Sequence, residues 1–340
     1  MPRPPQEIPI LPDVNAKPVP VPAPKPKPRL TERNQGDLPQ YGPSPRQTLS
    51  YLRGLMENHG LEPKAKLGQN FLIDLNLIDV VIRAADLSYE DCVLEVGTGT
   101  GSLTARLAQE AGAVFTVEID RDFHRLAQTI IGGRGNVVSH LGDALARKNE
   151  LSTTMLNGWA ELAKKFETRQ LKLIANLPYA VATPIISNLL LLPNLPIERM
   201  VVMVQWEIGE RLRAEAGTKD YNALSVLVQS VADVEIVRKV APTNFFPKPK
   251  VDSAIVMIKP NPKKRELVGD VAKFRAFLRD LYTHRRKNLR AALAGWPQAE
   301  GRHEKADVDR ILKEVGIDGN VRAETLDLEQ HLRLSRAFGG

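Results

Sequence analysis

The segment that most restricts this chain's fold is Val93-Leu-Glu-Val-Gly-Thr-Gly-Thr-Gly-Ser102. A short β-rich run ends at Val96, glycines follow at 97, 99 and 101, and a helical pattern opens at Ser102. Glycine lets a backbone turn tightly and approach a ligand with no Cβ in between. Strand, glycine turn and helix in that order begin a βα unit, which implies a parallel sheet covered by helices.

The rest of the chain repeats that alternation. Leu75, Ile78, Ile82 and Ala85 recur at helical spacing. Strands are expected at Cys92–Val96, Ala113–Ile119, Val137–Leu141, Leu171–Ala175, Arg199–Val204, Asp233–Val240 and Ser253–Lys259, and helices at Ser102–Ala111 and Arg121–Ile130. Thr183 before Pro184 reads as a helix start, a cap residue with proline at the first helical position. After Pro262 helical patterns take over, at about 270–294, 304–315 and 325–336. The expected fold class is therefore α/β, a Rossmann-like, doubly wound sheet over 48–258, followed by a smaller all-α domain over 263–340. Residues 1–45 hold 14 of the 25 prolines, so 1–47 reads as an extended, disordered tail of polyproline II character. That tail reads as a linker, or else as a tether to RNA or to a proline-binding domain.

Composition narrows the function classes. No apolar run approaches the roughly 20 residues a membrane helix needs, and no signal-peptide core is visible, so a cytoplasmic protein without membrane contact is expected. A single cysteine, Cys92, excludes an internal disulfide and a cysteine-based zinc cluster. The six histidines show no metal-ligand spacing, and no catalytic metal is expected. The net charge of +7 suits a polyanionic partner. Between Lys259 and Pro297 stand eleven Lys or Arg against three Asp or Glu, a local excess above that of the whole chain.

Four constellations carry chemistry. The glycine turn is spaced G-x-G-x-G, not the G-x-G-x-x-G of a dinucleotide site, because Ser102 stands at the sixth position. With acidic Glu95 before it, the turn suits a nucleoside-type ligand lacking a pyrophosphate, such as S-adenosylmethionine; the alternative is a purely structural turn. Glu118, at the end of the next strand, can accept from both ribose hydroxyls of a ligand over that turn. Asp120 reads as a helix cap. Asp143, after the third strand, can accept from an adenine amine, although an acidic loop residue is commonly just solvated. Fourth, Ile174-Ala-Asn-Leu-Pro-Tyr179 closes strand four, where an open α/β sheet places its ligands. The lone pair of adenine N6 is delocalised into the ring. An Asn oxygen and a backbone carbonyl accepting from its N–H groups would hold the nitrogen toward tetrahedral geometry and stabilise the developing charge. Pro178 fixes the turn, and Tyr179 offers a ring on which a flipped base can stack; a strand ending with Tyr in the core is the plainer alternative.

Asn-Leu-Pro-Tyr at 176–179 resembles the amino-methyltransferase signature in the form used by ribosomal RNA adenine dimethyltransferases. Lys66-Leu-Gly-Gln-Asn-Phe-Leu72 resembles that family's N-terminal motif. Asn244-Phe-Phe-Pro-Lys-Pro-Lys-Val-Asp-Ser-Ala254 resembles its late F-x-P-x-P-K-V-D-S-A motif, with Lys248 where proline is common. His284-Arg-Arg-Lys-Asn-Leu-Arg290 resembles the basic segment of its helical domain. The likeness runs in order over about 60–336.

The resemblance implies a class I methyltransferase using S-adenosylmethionine as methyl donor. Asn70, Leu72, Gly97, Glu118, Asp143 and Asn176 would line the donor site. Asn176, Pro178, Tyr179 and Phe245 would serve catalysis, Tyr179 and Phe245 sandwiching the target base. Lys248, Lys250, Arg285, Arg286, Lys287 and Arg290 are read as RNA contacts, with 286 and 290, like 283 and 287, on shared helix faces. The small-subunit branch acts on two adjacent adenines in the 3′-terminal hairpin of 16S rRNA. Leu177, where the 23S enzymes usually carry Ile, points there, and a monomer is expected. A 23S rRNA enzyme and a small-subunit assembly factor acting by binding stand as alternatives.

Overall fold

The computed structural model of the protein describes residues 49–192, 197–294, 297–298, 301–302 and 304–338. The proline-rich segment 1–47 lies outside the described residues.

A seven-stranded sheet organises the described chain. Its strands are β1 (Asp91–Val96), β2 (Ala113–Glu118), β3 (Val137–Leu141), β4 (Gln170–Asn176), β5 (Ile197–Gln205), β6 (Ala232–Val240) and β7 (Ser253–Pro260). The spatial order is β3-β2-β1-β4-β5-β7-β6. The first five are mutually parallel, with Leu94 opposite Leu173 and Asn176 opposite Met203. β7 runs antiparallel to β5 and β6. All six residues of β1 and of β2 are buried, as strands covered on both faces must be.

Alternate side chains feed two hydrophobic layers. Leu94, Phe115, Leu173 and Val202 pack with Met155 and Trp159 of α5 (Thr153–Lys165) and with the apolar side chains of α6 (Tyr179–Leu191). Val93, Val114, Ile174 and Val201 meet Ile78 and Ile82 of α2 (Leu75–Ala85) and Leu107 of α3 (Ser102–Glu110). A third cluster joins Leu52 and Met56 of α1 (Leu49–Asn58), Phe71, and Phe123 and Leu126 of α4 (Arg121–Ile131). Beyond β5 come α7 (Trp206–Arg213) and α8 (Ala223–Gln229). After β7 come α9 (Pro262–Val268), α10 (Val271–Thr283), α11 (Leu289–Leu293), α12 (Lys305–Glu314) and α13 (Leu328–Ala337). Phe274, Leu289, Val308 and Leu334 from that stretch join the same layer as Leu94 and Leu173. No helix among the described residues is long and apolar enough to cross a membrane.

Side-chain caps set several helix starts. Asp74, Asp120, Ser152 and Asn288 each accept from a backbone N–H of the first turn they precede. Two expectations need correction. Thr183-Pro184 does not open a helix: α6 begins at Tyr179, directly after Pro178, and carries Pro184 inside. The Asn-Leu-Pro-Tyr turn is pinned by the Leu177 N–H donating to Met203 O at 3.1 Å and Val181 N–H to Pro178 O at 3.0 Å, so the helix starts there. Pro184 then deprives only Ala180 O of its bond, on an exposed residue. Nor does one helix span 283–290. α10 ends at Thr283, and Asn288 caps α11 by accepting from Ala291 N–H at 3.0 Å. Residues 286 and 290, like 283 and 287, therefore share no helix face.

A buried ion pair fixes the end of the sheet away from the glycine turn. Lys172 on β4, 2% exposed, donates through Nζ to Asp86 O (2.8 Å), Ala85 O (3.1 Å) and Asp91 Oδ2 (3.2 Å). Asp91 has no exposure at all, and burial pushes its carboxyl up although Lys172 opposes this. Removing one partner of such a pair leaves an uncompensated buried charge. Lys172→Ala is expected to destabilise the protein by about 3–5 kcal/mol in urea denaturation. Asp91→Asn added to it should restore part of the loss. A change under about 1 kcal/mol for Lys172→Ala would show that the pair does not hold this end of the sheet.

Candidate functional site

At the C-terminal ends of β1, β2 and β4 the chain leaves a cavity of about 210 Å³. Its floor is the glycine turn. Gly97, Gly99 and Gly101 take φ of 87°, 56° and 82°, which side chains other than glycine rarely adopt. Each missing Cβ also has a neighbour. A Cβ on Gly97 would stand 3.3 Å from Pro178 Cδ, one on Gly99 3.1 Å from the Phe71 ring, and one on Gly101 3.2 Å from Ala127 O.

Glu118, 5% exposed, is bound to the same turn. Its Oε2 accepts from Gly99 N–H and its Oε1 from Asp120 N–H, both at 2.9 Å. Burial raises its pKa, and the backbone N–H groups partly offset this. Each oxygen keeps a second lone pair, so the carboxylate can still accept from a ligand. Asp120 does cap α4, accepting from Asp122 N–H at 3.0 Å. Its other oxygen accepts from Gln69 Nε2 at 3.0 Å and pairs with Lys64 Nζ at 2.8 Å. That carboxylate thereby ties residues 64–72 over the cavity, a task its capping position did not reveal.

Asn176 ends β4 and donates from Nδ2 to Asn70 O at 3.0 Å. This orients the amide and leaves Oδ1 without a donor among the described residues. Pro178 O accepts from Val181 N–H, whereas no backbone N–H among the described residues is aimed at Leu177 O. The turn therefore presents two acceptors, Asn176 Oδ1 and Leu177 O, beside one another in the chain. Tyr179 lines the same cavity, and its hydroxyl shares a hydrogen bond of 2.8 Å with Ser253 Oγ.

Asn70, Leu72, Gly97, Glu118, Asp143, Asn176, Pro178 and Tyr179 are thus gathered on one cavity. Asp143 is exposed and its Oδ1 accepts from Leu145 N–H at 2.9 Å, so the turn uses one oxygen and Oδ2 remains. Phe245 is not brought to the cavity wall. It is 3% exposed, paired with Leu72 in a two-residue ladder, and packed in the same cluster as Ile78 and Ile82. Lys248, Lys250, Arg285, Arg286, Lys287 and Arg290 are all exposed. Arg290 makes two bonds of 2.6 Å to Asp309, and Arg285 donates to Glu324 at 2.8 Å and to Lys219 O at 3.1 Å.

Among the wall residues beyond the expected site residues are Ile119 and Glu95. Ile119 follows Glu118 and is 50% exposed, an apolar surface at the rim whose strand-end position was the available signal. Glu95 is 1% exposed, with Oε2 accepting from Thr104 Oγ1 at 2.5 Å and Thr116 Oγ1 at 2.7 Å. Burial pushes its pKa up to about 8 against those two bonds. The sequence displays the acid but not its protonation.

A family model described as ribosomal RNA adenine dimethylase matches residues 60–336. The ribosomal RNA small subunit methyltransferase A of Pelotomaculum thermopropionicum is 40% identical over 289 residues, covering 84% of this chain and 95% of that protein. The protein of the same name from Bacillus cereus is 38% identical over 291 residues, covering 84% and 94%. Among solved structures, a dimethyladenosine transferase from Plasmodium falciparum matches with a TM-score of 0.64 at 25% identity, covering 79% of this chain and 97% of that one. The 23S rRNA methyltransferase ErmE matches at a TM-score of 0.56 and 23% identity, covering 80% and 100%, and shares the fold.

Glu95 gives this site a pH signature. The unfolded chain releases this proton near 4.5 and the folded protein near 8. The folded state therefore binds more protons between those values, and the stability contributed by Glu95 falls as pH rises through that window. Glu95→Gln keeps the shape without titrating. The melting temperature of the wild type relative to Glu95→Gln is expected to decline from pH 5 to pH 8, corresponding to a few kcal/mol. A flat difference would mean that the buried carboxyl is already ionised at pH 5.

Proposed function

The chain belongs to the ribosomal RNA adenine dimethylase family, and we propose that it methylates N6 of two adjacent adenines in the 3′-terminal hairpin of 16S rRNA. The product is dimethyladenosine, formed during small-subunit biogenesis, and the methyl donor is S-adenosylmethionine. The observation that carries this reading is the Asn176-Leu-Pro-Tyr179 turn, with its two acceptors and an aromatic ring on the cavity that the glycine turn floors. The relatives named for the small subunit, at 40% and 38% identity, support this substrate over 23S rRNA.

S-adenosylmethionine supplies a methyl group activated on a sulfonium. Gly97 lets the backbone approach the donor's methionine part, Glu118 accepts from the ribose, Asp143 from the adenine amine, and Ile119 faces the base. Asn70 and Leu72 close the cavity from above. Asn176 Oδ1 and Leu177 O accept from the two N–H groups of the target amine and draw its lone pair out of conjugation. The N6–CH₃ bond forms as the S–CH₃ bond breaks, and N6 then releases one proton to water; a second round completes the dimethylamine. The nucleophile is a neutral amine and the leaving group a neutral thioether, so no metal and no covalent enzyme intermediate is invoked.

Tyr179 stacks on the target base from one side. Phe245 can complete a sandwich only by leaving its buried position, so its part belongs to the RNA-bound state. In this reading 48–258 form the methyltransferase domain and 263–340 a helical domain that contacts RNA. The protein acts as a cytoplasmic monomer. Lys248, Lys250, Arg286 and Lys287 meet phosphates most readily, because Arg285 and Arg290 already pair with Glu324 and Asp309.

Two outcomes test the reading. Asn176→Ala should lower methyl transfer to unmethylated small subunits by at least about a hundredfold while RNA affinity holds. Labelled donor and nuclease mapping of the label measure this, and wild-type turnover by the variant would remove Asn176 from the chemistry. Alanine at Lys248, Lys250, Arg286 and Lys287 together should reduce the slope of log affinity against log salt by about 3–4. An unchanged slope would place the RNA elsewhere.

A further inference from the structure

We infer that Ser253 is a positioning residue for the target base, holding through its hydroxyl the plane of the Tyr179 ring. This rests on the reading of Tyr179 as the surface on which that base stacks.

The two residues lie 74 positions apart and meet at 2.8 Å between Tyr179 Oη and Ser253 Oγ. They differ in what holds them. Tyr179 is the first residue of α6, part-buried, its ring reaching the cavity. Ser253 has no exposure and opens β7, where its backbone pairs with Gln205 of β5 on one side and Val240 of β6 on the other. The preceding residue is also fixed: Asp252 O accepts from Trp206 N–H at 2.9 Å, and Asp252 Oδ2 pairs with Lys239 Nζ at 2.8 Å. A ring with two side-chain torsions is therefore tethered at its far end to a rigid part of the sheet.

Folding does not demand this polar pair. Replacing both partners of a buried hydrogen bond by apolar groups of like shape is nearly neutral, so Phe beside Ala would satisfy the core. What the pair adds is direction. A hydrogen bond at the para position stops the ring from swinging about its first torsion, and base stacking depends on ring orientation. The same strand end terminates the loop that carries Lys248 and Lys250. Phosphate contact and base platform are thus referred to one anchor, Asp252-Ser253. That suits an enzyme whose methyl transfer requires N6 in line with the donor methyl.

The test measures single-turnover methyl transfer to unmethylated small subunits for Ser253→Ala, Ser253→Thr, Tyr179→Phe and the Ser253→Ala/Tyr179→Phe double variant. Calorimetric binding of S-adenosylhomocysteine and melting temperatures are read in parallel. Ser253→Ala and Tyr179→Phe should each slow transfer roughly tenfold at saturating donor and RNA, with S-adenosylhomocysteine affinity unchanged. The double variant should be no slower than either, because both remove the same bond. Ser253→Thr, which keeps the hydroxyl, should retain most of the rate. Wild-type rates in Ser253→Ala or Tyr179→Phe, or losses that multiply in the double variant, would overturn the role. If Ser253→Ala does not fold, Tyr179→Phe decides alone, since it removes the bond from the part-buried side. Absence of transfer by the wild type would overturn the proposed function and this role together, whereas wild-type transfer unaffected by the variants would overturn this role only.

Discussion

The ring of Pro178 lies close against the place where any other residue at 97 would carry its Cβ, and the two strand-end turns are arranged around that closeness. β1 and β4 are parallel neighbours, so their C-terminal loops leave the sheet side by side. A Cβ on Gly97 would lie 3.3 and 3.4 Å from Pro178 Cδ and Cγ, tighter than ordinary contact, at a φ of 87° that side chains rarely adopt. The contact presses the Asn-Leu-Pro-Tyr turn against the floor of the cavity and fixes where Asn176 stands. The remaining glycines repeat the principle with other partners, Gly99 admitting the Phe71 ring and Gly101 the backbone of α4 at Ala127. Three positions at alternate places therefore meet three parts of the chain: the Asn-Leu-Pro-Tyr turn, the N-terminal cover and the neighbouring helix.

That arrangement explains why the fold and much of the cavity could be read before the structure. The glycines, Glu118 and Asn176 announce themselves locally, because strand ends and tight turns are short-range features and open α/β sheets bind ligands there. Long-range compensation escaped. Thr183-Pro184 carries a genuine start signal, but the pinned turn at Leu177 and Pro178 starts the helix earlier, and packing of Ile185, Ile186, Leu189 and Leu190 absorbs the proline. Arg286 and Arg290 stand four apart on paper, yet the Asn288 cap divides them. Phe245 occupies the position that the resemblance assigns to a base-stacking ring, but pairing with Leu72 buries it here. Neither the Lys172–Asp91 pair nor the protonated state of Glu95 has any sequence signal, since both depend on what the fold removes from water.

The basic stretch from Lys259 to Pro297 changes meaning most. As a sum it resembles an RNA-binding surface. Residue by residue, much of it is already paired at the surface: Lys264 with Asp233, Arg279 with Asp280, Arg285 with Glu324 and Arg290 with Asp309. Such exposed pairs add little stability, but each reduces the field that a phosphate would meet. Net charge overstates the surface available to RNA, because four of the eleven cations in the stretch already face a carboxylate, whereas Arg286 and Lys287 are exposed with no carboxylate partner among the described residues.

Two arginines of that stretch hold α6 itself. Arg265 donates to Leu190 O at 2.6 Å and to Leu191 O at 3.1 Å, the last carbonyls of α6, where a cation also meets the negative end of the helix dipole. Arg275 on α10 donates at 2.7 Å to Asn188 Oδ1, and Asn188 Nδ2 in turn donates to Pro184 O at 2.7 Å. α6 is therefore held at both ends. Pro178 against Gly97 and Tyr179 against Ser253 fix its start, while the helices after β7 fix its finish. A helix with a proline in its interior is a weak lever by itself, because one backbone bond is missing and the segment can bend there. Held at both termini, it keeps its first residue, the ring proposed to carry the target base, between the sheet and the C-terminal helices.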